Sequence, residues 1–443
     1  MNVSGPSLPE RTRKHLHRRP RPTRRPRTDG SDAGRSHGQA LIAALLLAAV
    51  LAAGTMLAGG ALRTRAEAIA HARSLEALAQ ARNALIGYAI SYEERHPGEG
   101  YGFLPCPDRG NEGSTPIGAC GARDTAAIGR LPWRTLGLPE LRDGWGECLW
   151  YAVSGSAKHN PKPLALNWDS RGQFALEDAG GAPLPVAAPD GRAIAVVFAP
   201  GRARSGQLRP PARPFRCSGS DTASEDLPHY LDHPFAVGDT GPQRLAQGAL
   251  RPDDASATND LLAWVGIDDV FDALRRRHDH AGHIDALIDR AAAALSARLD
   301  PANGGETWRT THGVARGALV IGGLPTAEAL GLPAGARPPI DHWRDQMRFA
   351  ACADGTACIA VSRENGDVTH CHAILAFGGE RIRGGAGAQQ RLDETQRADP
   401  AQYFEGHNAL HLATGGPAFD GAARFSVADR TQPATADVIR CLP

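Results

Sequence analysis

Residues Ala40–Leu62 (ALIAALLLAAVLAAGTMLAGGAL) form twenty-three consecutive positions without a charge. As an α-helix rising 1.5 Å per residue this run spans roughly 35 Å, enough to cross a hydrocarbon core of about 30 Å with some tilt. No proline intervenes between it and His96, so one helix from Ala40 to His96 would be about 85 Å long. Such an element sorts the chain at once. Either the residues beyond it make an exported domain on a stalk, or the chain is a subunit whose apolar helix is its assembly handle.

Charge sets the direction of insertion. Ten basic and three acidic residues precede Gly38, a net +7, and because the whole chain carries +1 the remainder carries −6. A basic arm before an apolar helix is the positive-inside arrangement, with the N-terminus in the cytoplasm and the bulk across the inner membrane. The arm, residues 1–37, is rich in Arg and Pro and too poor in apolar residues to build a core, so it is expected to be disordered. No aromatic residues interleave with its arginines to stack bases, so it reads as a topology signal rather than a nucleic-acid-binding arm, and no nucleic-acid partner is expected.

All eight cysteines (Cys106, Cys120, Cys148, Cys217, Cys352, Cys358, Cys371 and Cys441) come after the helix. An even number in an oxidising compartment is read as disulfides, although eight cysteines permit 105 pairings. Cys106 with Cys120 is the favoured pair, because the intervening loop is short and Gly-rich; its closure would stabilise by roughly 3 kcal/mol.

With 443 residues, the chain has room for two or three folded units. Its 51 Gly and 33 Pro against 5% aromatics favour short strands joined by turns. Beyond the apolar run, Arg63–His96 keeps helical composition, with Ile69, Leu75, Leu78, Leu85, Ile86, Ala89 and Tyr92 forming one apolar stripe, and Pro97-Gly98 ends it. Residues 102–155 are turn-dense and close on an aromatic strand entered through a Gly turn, Asp143–Val153. Arg192–Pro200 is a further strand. Asn259–Leu299 is helical by pattern, with a break expected at Gly282; residues 301–345 read as a connection. The last hundred return to strands at Cys358–Ser362, His370–Phe377 and Ala423–Val427.

The junction Ser36-His37-Gly38-Gln39-Ala40-Leu41-Ile42 resembles the prepilin cleavage site of type IV pilins and type II secretion pseudopilins. The resemblance extends through Ala-Leu-Ile-Gly-Tyr-Ala (Ala84–Ala89) and Leu104-Pro105-Cys106-Pro107 to the run Leu131–Pro139. Leu138, Pro139, Asp143, Trp145, Gly146 and Tyr151 match the major-pseudopilin segment that ends in Trp-Gly and Tyr. Together these motifs are similar to a group of large pilin-like proteins of Gram-negative bacteria, over Gly38 to about Val153. The resemblance implies a leader cut between Gly38 and Gln39 by prepilin peptidase, a methylated Gln39 as the new N-terminus, and a helix that packs against those of other pilin-like subunits. Ala43 stands where the family usually has Glu at the fifth mature position, and the leader is long, so an uncleaved signal anchor is the competing expectation.

Other chemistry is sparse. His278, His280 and His283 have the HxHxxH spacing at which imidazoles can converge on zinc. Cys352, Cys358 and Cys371 with His370 and His372 offer a second set of zinc-type ligands. Asp108, Asn111 and Glu112 are hard oxygen donors suited to calcium. Asp268-Asp269 reads as a helix-dipole interaction, and Glu405 has no evident partner carboxylate. The glycines at 378–379 and 384–387 lack the Lys-Ser/Thr of a phosphate loop, and no nucleophile elbow is present. No catalytic residue, metal or cofactor is therefore assigned.

The expected fold class is α+β: a pilin-like long N-terminal helix, transmembrane then amphipathic, packed on an antiparallel sheet, plus a β-rich, loop-rich lobe with a short helical segment. The corresponding division is 1–38 leader, 39–62 transmembrane helix, 63–255 helix with α+β domain, 256–300 helical segment and 301–443 β-rich lobe. The expected function is that of a non-enzymatic subunit of a type IV pilus or type II secretion apparatus. The alternatives are a signal-anchored periplasmic metal-dependent hydrolase and a surface adhesion module.

Overall fold

A computed structural model describes residues 36–211, 216–219, 223–248, 258–385, 387–427 and 437–442. The basic arm before Ser36, with the disorder expected of it, lies outside these residues, as do parts of the loops around 208–226. The fold is α+β, with one long N-terminal helix and several sheets. Two compact units divide the chain, Met1–Arg65 and Ala66–Pro443. Helix α1 (Ser36–Ile90) begins in the first and ends in the second.

In the first unit every described residue from Gln39 to Arg65 is exposed. Leu45, Leu46 and Leu47 are each more than 60% accessible, and consecutive residues on a helix point to different sides, so the apolar surface is continuous round the axis.

In the second unit α1 buries one face. Ala70, Ser74, Ala77, Leu78, Ala81, Leu85, Tyr88 and Ala89 are buried at steps of three and four, the period that keeps side chains on one side of a helix. Ile69 and Leu75, expected in that stripe, are 48% and 49% exposed instead. Their positions fall outside the arc that the sheet covers. After α1 come α2 (Tyr92–Arg95) and six strands: β1 (Ala127–Arg130), β2 (Trp150–Val153), β3 (Phe174–Glu177), β4 (Ala195–Ala199), β5 (Gln243–Ala246) and β6 (Leu261–Val265).

Strands β1, β2, β4 and β6 form an antiparallel sheet in that order. Alternation along them separates two faces. Tyr151, Val153, Ala195, Val197 and Leu261 share a core with α1, while Trp150, Ala152, Val196, Phe198 and Leu262 face a second cluster. That cluster is closed by the parallel pair β3–β5 and by α3 (Ala223–Tyr230). Because β4 is covered on both sides, its sequence AVVFA is a continuous apolar run rather than an alternating one.

The segment 259–299 departs from the helical expectation at its start. Leu261–Val265 is the last strand of the first sheet, and Gly266 then opens α4 (Ile267–Arg275), with Asp269 Oδ2 accepting from Gly266 N at 2.8 Å. Helix α5 (His280–Leu299) comes next. The break falls at 276–279, and Gly282 lies inside α5.

Residues 301–345 are likewise more than a connection. They hold α6 (Gly305–His312), β7 (Val314–Arg316), β8 (Leu319–Gly323) and α7 (Arg337–Trp343). Next come β9 (Met347–Cys352), β10 (Ile359–Ser362), β11 (Val368–Cys371), β12 (Ala373–Phe377), α8 (Glu394–Ala398), α9 (Gly406–Thr414), β13 (Ala418–Asp420) and β14 (Val438–Leu442). The expected strand at Ala423–Val427 is irregular; Phe425 is buried there as a single anchor.

Strands β14, β12, β9, β8 and β7 make a second antiparallel sheet. Helix α5 covers one face through Ile284, Ile288, Ala291 and Leu295, against Phe349, Leu375 and Leu442. The other face, with Ile321, Ala350 and Ile374, is closed by β10, β13 and α9. The plan of the first lobe, a helix across one face of an antiparallel sheet and a small sheet across the other, is thus repeated without recognisable sequence repetition. One apolar cluster runs from α1 through Trp168, Phe271 and Trp343 to α5, so the lobes share a core.

Candidate functional site

The exposed part of α1 is the first candidate. Gly38 and Gln39 lie in its first turn, and Gln39–Ile90 is the one described helix long and apolar enough to cross a membrane. A Cβ added at Gly54, Gly59 or Gly60 would meet no atom within 4 Å, which leaves three low points where another helix can approach closely. An apolar surface of this extent is stable only against lipid or other apolar helices.

The eight cysteines form four disulfides: Cys106–Cys120, Cys148–Cys217, Cys352–Cys358 and Cys371–Cys441. These bonds fit an oxidising compartment. They also consume the Sγ atoms of the second zinc set. His372 Nδ1 lies 2.8 Å from the carbonyl of Gly355, and with all three cysteines in disulfides no thiolate is left there to ligate zinc.

The histidine run is dispersed by the start of α5. His280 is buried, and burial followed by the neighbouring His283 charge pushes its pKa down to about 4. His283 Nε2 instead faces the Tyr101 hydroxyl at 3.1 Å and Asp279 Oδ2 at 3.3 Å. Asp279 is held by Arg277, whose Nε and Nη2 donate to its two oxygens at 3.0 and 2.7 Å. Asp108, a calcium ligand candidate by sequence, spends its carboxylate on backbone N–H groups, of Gly110 at 2.9 Å and Gly113 at 2.6 Å. It organises a turn.

Asp268 and Asp269 have separate roles. Asp269 caps α4 and pairs with Arg82 of α1 at 2.8 Å. Asp268 is buried, receiving two bonds from Arg381 at 2.9 and 2.7 Å and one from Arg383 at 2.6 Å. Arg381 also reaches Asp169, whose other oxygen accepts from Arg391 Nη1 at 2.8 Å and Gln346 Nε2 at 2.7 Å. Burial raises the Asp169 pKa, but Arg391 and Arg381 outweigh it and hold the carboxyl below its usual range. The network continues through Gln389 to Glu405 and, by way of the Glu405 N–H, to Asp437. Its members come from both lobes, and it bolts them together. Nothing in the sequence singles out Asp169, Arg381 or Arg391, which are separated by up to 222 positions.

Beside this network lies a cleft of about 360 Å³ whose lining includes Asp124, Asn167, Arg171, Arg192, Asp345 and Arg397. Its wall is mostly polar, with Asn167 Nδ2 donating to Asp345 Oδ1 at 2.8 Å. Comparisons of the chain with protein-family models, curated proteins and solved structures gave no match.

Proposed function

We propose that this chain is a non-enzymatic, pilin-like or pseudopilin-like subunit. Residues 1–38 are a leader removed by prepilin peptidase between Gly38 and Gln39, and Gln39–Leu62 anchors the mature chain in the inner membrane. There it packs against other pilin-like subunits of a type IV pilus or type II secretion-type apparatus. The observation that carries this reading is the change of character within α1: apolar on every side from Ala40 to Leu62, then buried on one face against an antiparallel sheet. Helices of the first kind exchange lipid contacts for helix contacts, and the open positions Gly54, Gly59 and Gly60 permit close approach. The dispersal of the histidine run weighs against the anchored-hydrolase alternative.

The mass and N-terminal sequence of the protein extracted from membranes, with and without prepilin peptidase, test the reading. A chain beginning at N-methylated Gln39 only when the peptidase is present is expected. A chain that retains residues 1–38 in both cases would overturn it.

A further inference from the structure

The cleft beside the ion network gathers three arginines, and two of them lack a carboxylate partner. Arg192 is committed to Asp190 through Nε–Oδ2 at 2.8 Å. Arg171 and Arg397 donate instead to backbone carbonyls: Arg171 Nη1 to Leu392, and Arg397 Nε to Arg391 at 3.0 Å. Neither forms an ion pair among the described residues. One donor of each guanidinium is thereby pinned, and the remaining N–H groups are left on forks of fixed direction. Planar forks of this kind match carboxylate and phosphate oxygens in pairs.

The electrostatics agree. Burial, followed by the charges of Arg397 and Arg192, pulls the Arg171 pKa down, and the charges of Asp190 and Asp393 offset this only in part. Arg171 is therefore repelled by both of the other cations of the cleft. The acids at the cleft wall, Asp124, Asp169 and Asp345, form no ion pair with Arg171 or Arg397 among the described residues. Asp169 is spent on Arg381 and Arg391, and Asp345 is pushed up by burial and then by the Asp169 charge, which the charges of Arg397, Arg391 and Arg348 offset only in part. An oxyanion entering the cleft would relieve the repulsion on Arg171.

The rest of the lining narrows the class. The volume lies at the lower end of the roughly 300–1,000 Å³ of small-molecule sites. Ser156, Ser170 and Thr240 line the wall, with Ser156 Oγ donating to the Arg171 carbonyl at 2.6 Å and Ser170 Oγ accepting from Asn167 N at 3.0 Å, which leaves acceptor capacity on the first and the hydroxyl proton on the second. Leu164, 71% exposed, offers one apolar platform. Hydroxyl-matching walls, one apolar patch and a paired guanidinium grip suit a ring with several hydroxyls and a single anionic group.

We infer that this cleft binds a small anionic sugar, with Arg171 and Arg397 holding its oxyanion and the polar wall its hydroxyls. A uronate and a sugar phosphate share this chemistry. The inference does not depend on leader cleavage or filament assembly.

The test is calorimetric titration of the full chain in detergent with glucuronate, glucose 6-phosphate and glucose. Saturable binding of at least one anionic sugar is expected, with glucose about tenfold weaker or more, and the stronger of the two anions identifies the source. Arg171→Gln and Arg397→Gln should each weaken binding about tenfold or more, as expected for loss of a charged hydrogen bond. Arg244→Gln, whose partner is Glu177 outside the cleft, should leave it unchanged, and all three variants should melt as the parent does. No saturation with either anion, equal binding of glucose, or affinity unaltered in both cleft variants would overturn the inference.

Discussion

Asp169 shows how much of this fold rests on single buried charges. It is almost fully enclosed and satisfied by Arg381, Arg391 and Gln346, so removing its carboxylate strands the buried Arg391, while Arg381 keeps Asp268. Asp169→Ala should lower unfolding free energy by about 3–5 kcal/mol, measured by denaturant titration of the detergent-solubilised chain. Because its folded pKa is depressed, the stabilisation it gives is present above the unfolded pKa and is lost as pH falls through the folded one. Glu405 and Asp437 act in the opposite sense. Burial raises both carboxyls, and the Asp437 charge raises Glu405 further. The folded chain therefore holds a proton that the unfolded chain releases, and this contribution to stability falls as pH rises from the ordinary carboxylate range through neutrality. Melting temperature measured from about pH 5 to pH 8 should decline in the parent, and Glu405→Gln, which keeps a hydrogen there at every pH, should flatten the decline.

Helix α1 was legible in the sequence because its apolar run is a local signal, although it ends at Ile90 and the separate turn α2 carries the chain on towards the stop expected at Pro97. The phase of its second half was less so. In a stretch of Ala and Leu, apolar residues fall on several faces, and only the sheet decides which are covered. Leu85 is fully buried whereas Ile69 is half exposed, so Leu85→Ala should cost about 2–5 kcal/mol and Ile69→Ala should stay within about 0.5 kcal/mol. Equal effects in chemical denaturation would contradict the helix-to-sheet packing. Gly144 makes the same contact from the other side. A Cβ there would stand 1.9 Å from the Ala70 carbonyl oxygen of α1, and Gly144 N donates to Ser74 Oγ at 2.9 Å. Gly144→Ala should destabilise by about 1–3 kcal/mol or more, seen as a lower melting temperature. The strand β6 was missed because a five-residue apolar run leading directly into a helix has no periodicity of its own. The elements at 301–345 were hidden by the Gly and Pro that punctuate them.

At the scale of the molecule, the two lobes share one plan and are joined by common core and buried charge, while each disulfide stays within one lobe. The ion network and the cleft beside it had no sequence signal, since their residues meet only once both lobes are folded. The bonds Cys371–Cys441 and Cys352–Cys358 close separations of 70 and 6 residues in the same lobe. On loop-closure entropy, replacing the first pair by Ser should cost about 4 kcal/mol and the second about 2 kcal/mol, a ranking that parallel denaturant titrations would check. The longer bond ties β14 to β11, a strand of the small neighbouring sheet, while within its own sheet β14 pairs, among the described residues, with β12 alone. A chain made from its N-terminus delivers β12 some sixty residues before β14. During that interval the flank of β12 is an open template, vulnerable to any extended peptide nearby, and the arrival of residues 438–442 acts as the latch that ends the vulnerable period.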